Sequence, residues 1–247
     1  AGDRYVAGEE ISRRLNVSRT AVWKHIRELR RQGYRFESSP HKGYRLVGRP
    51  DALSAEAIRL AAGSVSVLAD VVVLGTVDST QTEAHRLAAA GAPHGTLVAA
   101  EEQTAGRGRL GRFWLSPAGK GIWMSLIIRP PITVREAPQM TMAAAVALAR
   151  TLRRETGADI GIKWPNDLLA GDGRKLCGIL VESVGEDERV RHMAVGVGID
   201  CDLEEADYPP ELAGKATSLL MATGRRVDRN ALAGAFLREF DAMYRLY

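Results

Sequence analysis

The 247 residues contain only two cysteines, Cys177 and Cys201. A disulfide framework is therefore excluded, and a reduced, cytoplasmic protein is the simplest expectation. No apolar run approaches the roughly 18 residues that span a bilayer, so no membrane partner is expected. No signal-peptide pattern is present, and a start at Ala1 rather than Met leaves room for an upstream segment. The five histidines show no ligand spacing with one another or with the cysteines, so a protein-built metal site is unsupported. A nucleotide P-loop is missing as well. Gly214-Lys215-Ala216 carries a lysine, but Pro209 stands where the leading glycine belongs.

What is present is a globular composition, 45% hydrophobic and 26% charged. The net charge of +4 is unevenly spread. Residues 1–49 hold 12 Lys+Arg against 5 Asp+Glu, a balance of +7, while residues 50–247 hold 22 against 25, a balance of −3. A basic module followed by a slightly acidic body points to nucleic-acid contact at one end only. The boundary is expected at Arg49-Pro50-Asp51, giving domains 1–49 and 50–247.

In the basic module the spacing predicts a short helix over Gly8 to Leu15, broken at Asn16-Val17. Ser18 then reads as an N-cap of a second helix running to about Gln32, with Val22, Ile26 and Leu29 on its core face. A short turn before a basic second helix suggests a helix-turn-helix. Arg19, Thr20, Trp23, Lys24 and Arg27 lie near the start of that second helix and around its other faces; Arg19 and Thr20 are placed to reach base edges in a major groove, and Lys24 and Arg27 to neutralise phosphate. Two alternating segments, Tyr34 to Glu37 and Tyr44 to Val47, flank a polar turn and form a wing, where Lys42 and Arg45 face the nucleic-acid backbone. A basic protein-interaction module is the competing reading.

In the body, Asp70–Leu74 and Thr96–Ala100 read as buried strands around a helix in which Thr80 and Glu83 have capping-box spacing. Next comes Gly106-Arg-Gly-Arg-Leu-Gly-Arg-Phe-Trp-Leu-Ser-Pro117. Its glycines satisfy the dinucleotide pattern, but Pro117, Gly119 and Gly121 forbid the helix that pattern must open. Arg107, Arg109 and Arg112 instead make an anion-binding loop, since guanidinium forks suit phosphate and carboxylate. Gly121–Ile128 is expected as a strand, Glu136–Glu155 as a helix and Ile160–Lys163 as a strand pinned by Trp164-Pro165. Lys163 at that strand's end offers a fixed charge in a partly dry setting; a snorkelling edge lysine is the alternative. Gly171-Asp172-Gly173 reads as a hairpin turn before strands Lys175–Glu182 and Val190–Ile199.

The segments Gly106–Pro117, Lys163-Trp-Pro-Asn-Asp-Leu168 and Lys175-Leu-Cys-Gly-Ile-Leu-Val-Glu182 together resemble the biotin protein ligases, and Ser18–Ile26 with Lys42-Gly-Tyr44 resembles the winged helix of the members that also repress transcription. The resemblance implies an α+β fold, a winged helix-turn-helix followed by a mixed-sheet catalytic domain related to class II synthetases. It implies that biotin and MgATP form biotinyl-5′-adenylate, whose acyl group passes to a lysine of a biotin carboxyl carrier domain. It further implies operator DNA as a partner and a ligand-promoted homodimer. Under it, Lys163, Arg107 and Arg109 are catalytic. Ser79, Thr80, Gln103, Gly106, Arg107, Lys163 and Gly178 bind biotin. Arg109, Arg112, Trp114, Asn166 and Asp200 bind ATP or the adenylate. Ser18, Arg19, Thr20, Trp23, Lys24 and Lys42 bind DNA. The acceptor-lysine base is not readable, and Asp167 either serves or braces the loop.

Two departures stand out. Asp200 occupies a position where the family usually has Asn near the adenine, and it could help hold magnesium. The helix that usually precedes the helix-turn-helix and the small SH3-like barrel that usually ends such chains are not recognisable, and the chain stops inside a helix expected from about Arg229, so both ends are expected to be short. A non-catalytic biotin-sensing transcription factor does not need Lys163 and the full arginine loop. A lipoate or octanoate transferase of the same fold is disfavoured by the Gly106–Pro117 motif.

Overall fold

The computed structural model describes residues 4–31, 34–40, 42–48 and 51–246. The chain divides into two compact units, Ala1–Ala52 and Leu53–Tyr247. Arg49 and Pro50 of the expected boundary, Gln32 at the expected helix end and His41 of the wing turn lie outside the described residues.

The first unit contains α1 (Gly8–Leu15), α2 (Arg19–Arg31), β1 (Arg35–Ser39) and β2 (Gly43–Gly48). Asn16 closes α1 in the left-handed region, at φ 51. Ser18 caps α2, its Oγ accepting from the Ala21 amide at 3.1 Å. Val22 and Ile26 are buried and Leu29 half-buried, as the helical period requires. β1 and β2 pair antiparallel, and Val6 bridges to Tyr44 beside them. Gly43 has φ +93, and a Cβ there would lie 2.1 Å from the Val6 carbonyl oxygen, so only glycine fits this corner.

The second unit is a seven-stranded mixed sheet with helices on its faces. Its elements are α3 (Ala55–Ala62), β3 (Asp70–Val77), α4 (Thr80–Ala89), β4 (Thr96–Gln103), β5 (Gly121–Ile128), α5 (Pro138–Thr156), β6 (Ile160–Lys163), β7 (Asp167–Ala170), β8 (Lys175–Glu186), β9 (Arg189–Asp200), α6 (Leu219–Thr223) and α7 (Arg229–Tyr244). The strand order is β3-β4-β5-β9-β8-β7-β6; β3 and β4 run parallel and every other pair antiparallel. Ser54, Ser79, Ser218 and Asp228 cap helices with their side chains. The cap of α4 is thus Ser79, one residue before the expected Thr80, and Glu83 pairs with Arg86 instead of closing a capping box. The last helix also corrects an expectation, because α7 ends at Tyr244 rather than running to the end of the chain.

Alternation along the central strands builds two different faces. Ile122, Met124, Leu126 and Ile128 of β5 join Val195, Val197 and Ile199 of β9 in the main core, together with residues of α3, α5 and α7. Arg229 anchors α7, donating from the interior to Glu101 and to the Gly121 carbonyl, both at 2.9 Å. On the opposite face Val98, Ile127 and Ala194 pack with Ala84 and Ala88 of α4. Trp123 on the same face packs with Leu203, Tyr208 and Ala216, and the cavity lies over the glycines and polar residues between these two clusters. Among the described residues no helix is long and apolar enough to cross a membrane.

Candidate functional site

A cavity of about 850 Å³ opens on the second face of the sheet. Its floor is a row of register partners across four strands, Lys163↔Asp167, Asp167↔Gly178 and Gly178↔Gly198. Paired residues share a face, so Lys163 and Asp167 stand on the same side as the two glycines. Glycines in a row let another group lie directly on the backbone. Here that group is Trp114: a Cβ at 178 would come within 2.8 Å of its Cζ3, and one at 198 within 2.5 Å of its Nε1.

One end of the cavity is an amide and hydroxyl network. Ser79, Thr80, Gln81 and Ser125 are buried. Thr80 donates its backbone amide to Gln103 Oε1 at 2.8 Å, and the Thr80 and Ser125 hydroxyls lie 2.9 Å apart. Ser125 donates to Gln81 Oε1 at 2.9 Å, and Gln103 Nε2 donates to Ser116 at 2.8 Å. Gly106 belongs to the same knot, since a Cβ there would meet the Trp114 carbonyl at 2.5 Å. The set fixes donors and acceptors at short range along the cavity wall.

The arginine loop closes the other side. The Gly108 amide donates to the Arg112 carbonyl at 2.7 Å, and Arg107 bridges to Phe113. Only a single 3-10 turn, Arg109–Gly111, interrupts it, so no helix follows the glycines. Leu110 and Phe113 are exposed at its tip. Arg109 donates to Asn166 Oδ1 at 3.0 Å, and Arg107 lies 3.4 Å from Glu182. Arg112 also lines the cavity. Lys163 lines it too, but it is exposed rather than partly dry, because β6 is an edge strand.

Asp200 ends β9 on the cavity face and is buried. Tyr208 donates to its Oδ2 at 3.1 Å, and its Oδ1 has no hydrogen-bond partner among the described residues. Burial pushes the carboxyl well above the usual carboxylate range, against the opposing pull of the Tyr208 bond and the Lys175 charge. The Tyr208 hydroxyl is raised in turn by burial and by Asp200. A single carboxyl held toward its protonated form is a poor cation ligand. Among the described residues no group of three or more His, Cys, Asp or Glu could hold a metal ion.

Sequence reasoning passed over Gln81, Ser125 and Lys175. Gln81 bonds the Ala194 carbonyl at 3.0 Å and fits against Gly196, whose Cβ would lie 2.5 Å from its Oε1. The alternating glycines of Val195-Gly-Val-Gly198 were the available signal, because a strand with one bare face invites a close neighbour. Asp167 is held at 2.7 Å by Lys175 and at 3.1 Å by Asn166 Nδ2, which suits a brace.

In the first unit, Arg19, Thr20, Trp23 and Lys24 are all exposed on α2. Arg19 pairs with Glu9 at 2.6 Å, and Arg27 stacks 4.8 Å from the Trp23 ring centroid. Lys42 lies over Tyr5, and Arg45 is tied to Glu37 at 2.6 Å.

Comparison with known proteins agrees with this geometry. The family model described as the biotin/lipoate A/B protein ligase family matches residues 73–200, and one described as an HTH domain matches residues 1–45. The bifunctional ligase/repressor BirA of Bacillus spizizenii is 45% identical over 247 residues, covering 100% of this chain and 76% of its own length. The biotin–[acetyl-CoA-carboxylase] ligase of Paracoccus denitrificans is 39% identical over 173 residues, 67% of this chain and 71% of its own length. Among solved structures, the biotin protein ligase of Aquifex aeolicus in complex with biotin and ATP superposes with a TM-score of 0.60 at 30% identity, over 71% of this chain and 70% of that one.

Proposed function

The chain belongs to the biotin/lipoate A/B protein ligase family, and from that premise we propose how its residues divide the work of an ATP-dependent biotin protein ligase that is also a biotin-responsive repressor. The enzyme joins biotin and MgATP into biotinyl-5′-AMP with release of pyrophosphate, then transfers the acyl group to a carrier lysine. The observation that carries the assignment of roles is the convergence on one cavity of a urea-matching network, a tryptophan laid on two glycines, and the cations Lys163, Arg107, Arg109 and Arg112.

In the first step a biotin carboxylate oxygen attacks the α-phosphorus and pyrophosphate leaves. Both reactants are anionic, so their approach is opposed until cations offset the repulsion. Lys163, Arg107, Arg109 and Arg112 supply that charge around the junction. Ser79, Thr80 and Gln103 hold the ureido ring, Gly106 leaves the space in which Gln103 and Ser116 meet, and Gly178 leaves the space on which Trp114 lies. Trp114 supports the base, Asn166 steadies Arg109, and Asp200 turns its Oδ1 toward the base edge. Magnesium enters as part of MgATP. In the second step the carrier lysine attacks the acyl carbon and AMP leaves, with Asp167 bracing the loop. Two readouts test these roles. Pyrophosphate release should require biotin, and Lys163→Ala should lower it by about 10²–10³-fold; an unchanged rate removes Lys163 from the chemistry.

The carrier is read as a biotin carboxyl carrier domain of a carboxylase, the compartment as a reducing cytoplasm, and the DNA-bound form as a homodimer. One winged helix has few base contacts, and pairing two adds their readouts. Ser18 sets the start of α2, Arg19, Thr20 and Trp23 face base edges, and Lys24 and Lys42 face phosphate. In a gel shift, operator affinity should rise with biotin and MgATP; equal affinity in both states removes the coupling.

A further inference from the structure

Two lysines that line the cavity, Lys175 and Lys215, have no part in the roles above; Lys215 donates to the Glu211 carbonyl at 3.2 Å, whereas Lys175 faces the residues already described. Lys175 reaches the cavity through an irregularity in the sheet. β7 pairs with β8 as Asp167↔Gly178 and Leu168↔Cys177, but the next pair is Leu169↔Lys175. Leu176 is therefore an extra residue in β8, a bulge. In a regular strand Lys175, three residues from Gly178, would point to the opposite face. The bulge turns it onto the cavity face beside Asp167 and Leu169. Its backbone is pinned there, the amide donating to the Lys215 carbonyl and the carbonyl accepting from the Thr217 amide, both at 2.8 Å.

From this position the ammonium meets two groups. It lies 2.7 Å from Asp167 Oδ1 and over the Trp114 ring, 5.1 Å from the centroid. The ring lies across Gly178 and Gly198, with several of its atoms close to both glycines. A ring laid on the sheet leaves its outer face to the cation. A purine stacking on Trp114 needs that same face.

We propose that Lys175 is a nucleotide-binding cation that guards the base shelf. Without nucleotide its ammonium covers Trp114; with nucleotide it yields the face to the base and pairs with the phosphates. The assignment rests on the reading of Trp114 as the support for the base. It separates two ligands that a structural role would treat alike. ATP carries both the base and the anionic phosphates, whereas adenosine carries only the base.

The test is calorimetric titration of the chain with ATP and, separately, with adenosine. For Lys175→Met, ATP should bind about tenfold more weakly, the scale of a hydrogen bond to a charged group, while adenosine binds equally or more tightly. Lys175→Arg, which keeps the charge, should hold ATP within about threefold of the parent. Unchanged ATP binding in Lys175→Met, or a parallel loss of both ligands, overturns the proposal. A parent chain that binds neither ligand would instead overturn the ligase reading itself, whereas normal parent binding with an unmoved variant sinks only the role of Lys175.

Discussion

A methyl group added at Gly198 should separate the two halves of the cavity. The new Cβ would lie 2.5 Å from Trp114 Nε1, 2.7 Å from Cε2 and 3.1 Å from Cζ2. Relaxed contacts between such atoms fall at about 3.5–4.0 Å, so the ring must lift by roughly 1 Å. The strand cannot yield instead, because β9 is paired on both sides, by β5 and β8. Forced overpacking of this kind costs about 1–3 kcal/mol. In Gly198→Ala part of it should appear as a fall in melting temperature of a few degrees. The rest should appear in nucleotide affinity, down about tenfold if 1.4 kcal/mol falls on the shelf. Gly196→Ala is the matched control. Its Cβ would lie 2.5 Å from Gln81 Oε1, and Gln81 holds Ser125, which holds Thr80. That variant should weaken biotin and spare ATP. Calorimetry with each ligand on both folded variants decides the matter. If Gly198→Ala lowers biotin affinity and leaves ATP alone, the layout of the cavity described above is wrong.

Three further outcomes are expected. The Asp200 carboxyl is held above the usual range by burial, so the unfolded chain gives up this proton at lower pH than the folded one, and stability falls as pH rises above that range. Asp200→Asn should therefore gain about 1–3 kcal/mol near neutral pH, a gain that shrinks towards pH of about 4 in denaturant titrations; a gain independent of pH contradicts the cause given. Asp241 has the opposite sign. Burial opposes its charge, but bonds from Ser66 and Val67 and the Arg245 charge prevail and hold its carboxyl low, so its contribution is present at neutral pH and lost on acidification. Asp241→Asn should lose about 2–4 kcal/mol at pH 7, and an unchanged urea midpoint would refute this. Residues 104–120 should become protected from proteolysis when biotin and ATP are added, as a loop folded over a hydrolysable adenylate must be; equal cleavage rates count against closure.

Much of the fold was legible because local signals agreed with one another. Asn16, Ser18 and Gly171-Asp172-Gly173 mark breaks where the structure has them, and every expected strand is present. The misreadings came from neighbours that a linear pattern does not contain. Ser79 and Thr80 are both hydroxyl residues, and only the entry direction of the chain makes the first the cap. Lys163 looked partly dry because its strand is apolar, yet an edge strand leaves its end open to solvent. The strand order, and with it the row from Lys163 to Gly198, depends on pairing between segments far apart in sequence. The aim of Lys175 turns on a bulge at Leu176, which period-2 alternation cannot reveal.

The central claim is carriage of biotin onto protein through Lys163 and the arginine loop. The direct measurement is incubation of the chain with labelled biotin, MgATP and a biotin carrier domain, followed by detection of label on the carrier. Label should appear on one carrier lysine with the parent chain and be lost with Lys163→Ala. A folded parent chain that leaves the carrier unlabelled, or a Lys163→Ala variant that labels it as fast as the parent, would contradict the claim.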